Sequence, residues 1–295
     1  MLIKKTLSIV FSFLLLINGS IQASPTIETW KTSSGAEVFY VYAPELPMVD
    51  MQVVFDAGSS RDGQLLGIAA LTNSLLDQGA AGMDVDEVSK GFESLGAIFG
   101  ANVGYDSASV QLRSLTDESL LLAALENLKK VISTPEFPEE AIERLRAQTL
   151  ISLQAKKQNP SALARDAFMN AVYQSHPYAQ PSIGTEESIA GIKRKDIESF
   201  YKQHYVSNNA MVAIVGAVHR ERAEIIAEDV LSKLDKGQKA KTLQSVNILE
   251  AAKKVFIEHP SAQTHILVGQ AGLKRGDQDY FPLYVGNHVL GGGGM

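Results

Sequence analysis

The 295-residue chain contains no cysteine. Disulfide staples, thiolate nucleophiles, cysteine zinc sites and a lipid anchor behind an N-terminal leader are therefore excluded. It has no basic excess either: 27 Lys and Arg stand against 33 Asp and Glu, a net charge of −6. A chain of that sign is a poor partner for nucleic acid or for an anionic membrane surface. There is no Gly-x-Ser-x-Gly, no Gly-x-x-x-x-Gly-Lys and no Gly-x-Gly-x-x-Gly, so neither a serine-hydrolase elbow nor a nucleotide-phosphate loop is indicated. The six histidines (His176, His204, His219, His259, His265 and His288) include no pair at three- or four-residue spacing, so no helix carries a histidine metal pair. His259 and His265 could share a strand face, but Pro260 lies between them and no acidic ligand is placed to complete a set.

Long apolar runs are also missing, apart from one. Leu7 to Ile17 follows Lys4 and Lys5 and precedes the small and polar residues Ser20-Ile21-Gln22-Ala23. This is the plan of a signal peptide, with cleavage expected near Ala23, and the run is short of the ~20 residues that span a bilayer. Export is expected, to the periplasm of a Gram-negative bacterium, with no stable membrane insertion. Removing Lys4 and Lys5 takes the net charge from −6 to −8. With 45% hydrophobic residues, the remainder is a foldable chain long enough for more than one domain.

Residues 27–57 alternate as strands do: Thr29-Trp30-Lys31, a turn at Ser33-Ser34-Gly35, Val38 to Tyr42, then Val49, Met51, Val53 and Phe55 interleaved with Asp50, Gln52, Val54 and Asp56. The period of two predicts a sheet with one wet face, hence antiparallel. Gly58 to Asp62 breaks the strand and opens a helix over Gly67 to Gly79, in which Leu65, Ile68, Ala69, Thr72, Leu75 and Leu76 share a buried face. Asp84 caps a second helix stopped at Gly96, and residues 97–104 and 107–114 form a hairpin. Thr116 caps a third helix, Pro138 starts a fourth, and Asn159-Pro160-Ser161 interrupts before a fifth ending at Tyr173. A helix opened by Thr185-Glu186 and ended by Asn208-Asn209 precedes the apolar strand Met211 to Gly216. Another helix spans 220–234.

Four stretches resemble the M16 metallopeptidases, the family of insulin-degrading enzyme, pitrilysin and mitochondrial processing peptidase. They are Gly58 to Gly79, His176-Pro177-Tyr178, Gly184 to Ile189, and Asp196 to Gly216, in that order and spacing. The resemblance implies an α+β fold, an antiparallel sheet covered by helices, and in active members a zinc motif His-x-x-Glu-His. Laid on Gly67-Ile68-Ala69-Ala70-Leu71-Thr72-Asn73-Ser74, that motif falls on Ala70, Asn73 and Ser74, and the third ligand of the family falls near Ile151 and Ser152. A methyl group offers no donor, a neutral hydroxyl is a poor one, and an amide cannot act as general base on a metal-bound water. The resemblance thus implies a zinc-less member, inactive alone, with no cofactor in this chain and zinc expected in a partner subunit. In two-subunit members, the zinc-bearing homologue and the zinc-less one close on peptide substrates. An Arg and a Tyr that hold substrate in some of the zinc-less partners would lie beyond Met295.

The expected organisation is a signal peptide over 1–23, an M16 N-terminal-like domain over 24–235, a polar linker over 236–250, and the beginning of a second such domain over 251–295. The last contains strands at Lys254 to Glu258 and His265 to Gly272 and a helix from Phe281 to Leu290. In the family a comparable glycine run, here Gly291 to Gly294, leads into the rest of that domain, so the sequence is expected to continue. Lys193-Arg194-Lys195 reads as a solvated helix start and Asp77 as a solvent-facing or capping carboxylate. Two other functions fit the same residues: a divergent zinc metalloendopeptidase active by itself, or a stand-alone peptide-binding, chaperone-like module.

Overall fold

The computed structural model describes residues 25–292; the expected signal peptide lies outside them, as does the end of the glycine run. Six strands form one sheet: β1 (Glu28–Lys31), β2 (Glu37–Tyr42), β3 (Met48–Phe55), β6 (Ile98–Val103), β7 (Ala108–Leu115) and β8 (Ala210–Gly216), in the spatial order β1-β2-β8-β3-β7-β6. The two-residue strands β4 (Gly79–Ala80) and β5 (Met83–Asp84) pair separately. Alternation decides the sheet's faces. Val49, Met51, Val53 and Phe55 of β3 are buried with Val110 and Leu112 of β7 and Val212 and Ile214 of β8, while Asp50, Gln111, Arg113 and Met211 face outward. The expected antiparallel sheet is present with one parallel pair, β2 beside β8, in which Val38 lies opposite Val212 and Tyr40 opposite Ile214. The two strands are far apart in sequence and joined by a long helical excursion, as a parallel pair requires.

Helices cover the apolar face. They are α1 (Ile68–Ser74), α2 (Val85–Glu93), α3 (Glu118–Ser133), α4 (Glu139–Lys157), α5 (Pro160–Tyr173), α6 (Glu186–Gly191), α7 (Arg194–His204) and α8 (Arg220–Leu231); α9 (Tyr280–Asn287), far along the chain, has no buried residue and is not part of this layer. Asp84 caps α2 as the sequence predicts, through a reciprocal box with Glu87. For α3 the cap is Asp117, which accepts from the backbone N–H of Ser119 and Leu120, rather than Thr116. An aspartate and a threonine side by side both suit a cap, and only the backbone turn selects between them.

The helix expected over 67–79 is shorter: α1 ends at Ser74, and Leu75 and Leu76 are buried in the irregular turns that follow. Burial at three- and four-residue spacing continues through those turns, so periodicity alone overruns the helix. Likewise the single helix read between Thr185 and Asn208 is two, α6 and α7, broken at Ile192-Lys193, after which Ser207–Asn209 forms a 3-10 turn.

Beyond α8 the chain changes character. Residues 254–258 and 265–272, read as strands, pair with no strand among the described residues, and Phe256 and Val268 are almost fully exposed. Their β-branched alternation is real, but a strand exists only where a neighbour takes up its backbone hydrogen bonds. The helix expected at Phe281 to Leu290 is present as α9, continued by a distorted turn to Gly292.

Candidate functional site

Helix α1 is positioned from its N-terminus by a buried carboxylate. Asp62, 6% exposed, accepts from the N–H of Gly67 (2.7 Å) and of Ala69 (3.0 Å), groups that the first helical turn leaves without intrahelical partners. Burial pushes the Asp62 carboxyl up to about 7 against the downward pull of those two hydrogen bonds. Gly67 has φ 90°, and a Cβ there would lie 2.7 Å from Ile189 Cδ1 and 2.8 Å from the Ile183 carbonyl oxygen. Ser188 donates to the Leu66 carbonyl at 2.7 Å. The Gly184 to Ile189 stretch therefore serves as the seat for the start of α1.

From this seat α1 runs beside β6 and β7, with α7 and α4 against it. The three motif positions diverge. Ala70 is half-buried and presents a methyl group; Ser74 is exposed. Asn73 is 2% exposed and points into the core, where its amide nitrogen donates to the hydroxyl of Tyr205 at 3.2 Å. Tyr205 is itself 1% exposed and tilts onto Phe55 with ring centroids 4.8 Å apart; burial raises its phenol above the ordinary value. Past Ser74, Gln78 donates to Asp77 (2.7 Å) and accepts from Arg144 of α4 (2.5 Å), tying the turn after α1 to α4. Asp77 is thus part of a polar tie, half-buried rather than free in solvent.

The later helix of the expected third ligand is α4, and it does pack on α1. Ile151 is 67% exposed, and Ser152, also exposed, donates to its own helix at the Gln148 carbonyl (3.0 Å). Among the described residues no three His, Asp or Glu side chains are grouped to hold a metal ion. The zinc held by the family's active members does not fit these donors, since methyl, amide and hydroxyl groups stand where imidazoles and carboxylates would be needed. No hydrolytic step follows from these residues.

What the site offers instead is an edge. β6 ends the sheet, so among the described residues the outer N–H and C=O groups of Ile98 to Val103 have no strand beside them. Ile98 is 60% exposed at its start, while Phe99 turns inward and stacks on Phe92 at 5.0 Å. At the hairpin tip Tyr178 donates to Asp106, and the rings of Tyr105, Tyr173 and Tyr178 meet edge to face. Sequence reasoning placed the hairpin but missed Asp62 and the Asn73–Tyr205 pair. A carboxylate five residues before a helix-opening glycine is a weak signal for the first, and a contact across 132 residues leaves none for the second.

Residues 37–186 match the family model described as Insulinase (Peptidase family M16), and residues 191–295 match the one described as Peptidase M16 inactive domain. Of solved structures, the chain is similar to a peptidase M16 inactive domain from Pseudomonas fluorescens, at 36% identity and a TM-score of 0.83, over 91% of this chain and 65% of that one. It is 24% identical to an uncharacterized zinc protease of Rickettsia bellii over 82% of this chain and 58% of the relative. It is 23% identical to the non-peptidase homolog YmxG of Helicobacter pylori over 74% of this chain and 50% of the relative. The chain spans less than two thirds of the length of these curated relatives.

Proposed function

This chain belongs to peptidase family M16, and from that membership we propose that it is a non-catalytic subunit which pairs with a zinc-bearing homologue and contributes a peptide-binding wall to a shared proteolytic chamber. The observation that carries this reading is α1 itself. Where active members hold metal and base, it supplies a methyl, an amide committed to Tyr205 and a solvent-facing hydroxyl, while the free edge of β6 runs alongside. An unpaired edge takes an extended peptide by main-chain hydrogen bonds, which requires no metal. The two relatives described as an inactive domain and a non-peptidase homolog favour the same reading.

In this reading the protein acts in the cell envelope, in the periplasm, after removal of the leader that ends near Ala23. Residues 251–295 begin a second M16-like domain, and the exposed apolar residues Phe256, Val268 and Phe281 are surface that the remainder of that domain covers. Zinc belongs to the partner.

Metal analysis and a peptidase assay on the purified chain, alone and mixed with the zinc-bearing homologue of the same organism, test this. Alone, the chain is expected to carry no stoichiometric zinc and to cleave nothing. On mixing, activity should exceed that of the homologue by itself by at least about tenfold, the gain that ~1.4 kcal/mol of added substrate or transition-state binding supplies. Chelator-sensitive cleavage by the chain alone would instead establish the divergent endopeptidase. Peptide binding with no gain on mixing would establish the stand-alone binding module.

A further inference from the structure

We propose that residues 235–244 are a clasp that locks the exit of the chain from the first unit, so that whatever follows residue 244 starts from one fixed point beside the β6–β7 hairpin tip. The composition of this stretch, Asp235-Lys236-Gly237-Gln238-Lys239-Ala240-Lys241-Thr242-Leu243-Gln244, is that of a loose polar linker, and its lysine side chains are exposed. Its backbone is held nonetheless. Asp235 and Lys236 accept at their carbonyls from the N–H groups of Ser207 (2.9 Å) and Asn208 (3.0 Å), and the Gly237 carbonyl accepts from the Asn208 side-chain amide (3.0 Å). The Ala240 N–H donates to Asn209 Oδ1 (2.9 Å), the Lys241 carbonyl accepts from Arg61 Nη1 (2.7 Å), and the Gln244 carbonyl meets His176 Nε2 at 3.0 Å. Because His176 Nδ1 accepts from the Tyr178 N–H, Nε2 carries the ring proton and is the donor to Gln244.

These partners are themselves fixed. Asn209 is buried and donates to the carbonyls of His204 (2.8 Å) and Asp56 (3.0 Å), and Arg61 is held by both carboxylate oxygens of Asp56 at 2.6 Å. Gly237 closes the fit. It has φ 53°, and a Cβ there would lie 2.5 Å from Cβ and Cγ2 of the buried Val206. The clasp therefore runs from the end of α8, over Ser207–Asn209 and Arg61, to His176 beside Tyr178. It joins the helical layer to the hairpin end of the sheet by hydrogen bonds to main chain, which a polar, changeable sequence can make. Its consequence for the proposed subunit is that the free part of the linker shrinks to residues 245–250 and begins at this point rather than at the end of α8. The clasp rests on that reading only for what it positions.

Limited trypsin digestion of the full chain tests it, since cleavage needs a released backbone and Lys236, Lys239 and Lys241 supply the sites. In the parent protein, the three clasp lysines should be cut at least about tenfold more slowly than the same lysines in a free peptide of residues 233–245. Gly237→Val, whose side chain would meet Val206, and Arg61→Ala should each raise clasp cleavage about tenfold. The thermal midpoint of Gly237→Val should fall by no more than about 6 °C, the shift that a tenfold rise in clasp opening brings, which separates opening of the clasp from unfolding. Clasp cleavage in the parent as fast as in the free peptide, or unchanged clasp cleavage in Gly237→Val, overturns the proposal. Neither result bears on the mixing assay, so the clasp and the subunit reading fail separately.

Discussion

The triple substitution Ala70→His, Asn73→Glu, Ser74→His, which writes the family's zinc motif back into α1, is expected to destabilise the protein and to bind zinc no tighter than micromolar. The cost arises at one position. Asn73 lies in the core against Tyr205, so a glutamate there adds a methylene to a packed site and buries a carboxyl whose neighbour is a phenol rather than a cation. Overpacking costs ~1–3 kcal/mol and an unpaired buried carboxyl a further few, so a loss of about 3–5 kcal/mol is expected. For a domain of this size that lowers the thermal midpoint by roughly 10 °C. Ala70→His with Ser74→His alone should cost less than about 1 kcal/mol, because Ser74 is exposed and Ala70 half so. Zinc binding fails in both variants because Ile151 and Ser152 supply no third ligand. Thermal denaturation with and without zinc, and competition against a chelator of known affinity, read both parts. Nanomolar zinc affinity with an unchanged midpoint would show that residue 73 faces a metal-competent cleft and that a third ligand exists elsewhere.

Asp62 should give the protein a pH dependence unlike that of ordinary carboxylates. Its folded-state carboxyl is raised from 3.8 to about 7, mainly by burial. The folded state therefore binds this proton more tightly than the unfolded state does. The stabilisation it contributes is complete below about pH 4, falls as pH rises, and is gone above about pH 7. One pKa unit corresponds to about 1.4 kcal/mol, so between pH 5 and pH 8 this group alone should lower stability by on the order of 3 kcal/mol. Urea unfolding of the parent and of Asp62→Asn at those two pH values measures it: the variant, with nothing to titrate, should lack that part of the slope. Asp62→Ala should lose about 1–3 kcal/mol at both, because the N–H groups of Gly67 and Ala69 are left buried without an acceptor. Parallel pH curves for parent and Asp62→Asn would mean that the carboxylate stays ionised, its two hydrogen bonds outweighing burial. Since Asp62 seats α1, the same measurement reports how firmly the degenerate motif helix is held.

Much of the architecture was legible because it is local. Alternation in β3, helical spacing in α2, the Asp84 cap and the Asn159-Pro160 break each depend on residues within a few positions of one another, and each lies where the sequence puts it. The side-chain types at Ala70, Asn73 and Ser74, a methyl, an amide and a hydroxyl, are legible in the same local way, and the expectation of no zinc site rests on aligning the family motif to them. Features closed by contacts across the chain were not legible. The parallel pairing of β2 with β8 joins strands more than 170 residues apart, and no local period encodes it. The end of α1 at Ser74 is set by packing of Leu75 and Leu76 in turns, which preserves the burial pattern without the helix.

By itself, then, the sequence determined the family, the layered α+β plan and the chemical poverty of the motif positions, because residue types and short spacings carry all three. Only the tertiary structure decided that Asn73 is a core residue paired with Tyr205, that Asp62 is a buried titrating group, and that the lysine-bearing stretch after Leu234 is held along its backbone. The physical reason is common to all three. What a group meets in space decides it: Asn73 and the stretch after Leu234 find partners from elsewhere in the fold, and Asp62, bonded to the nearby Gly67 and Ala69, is buried by the fold around it.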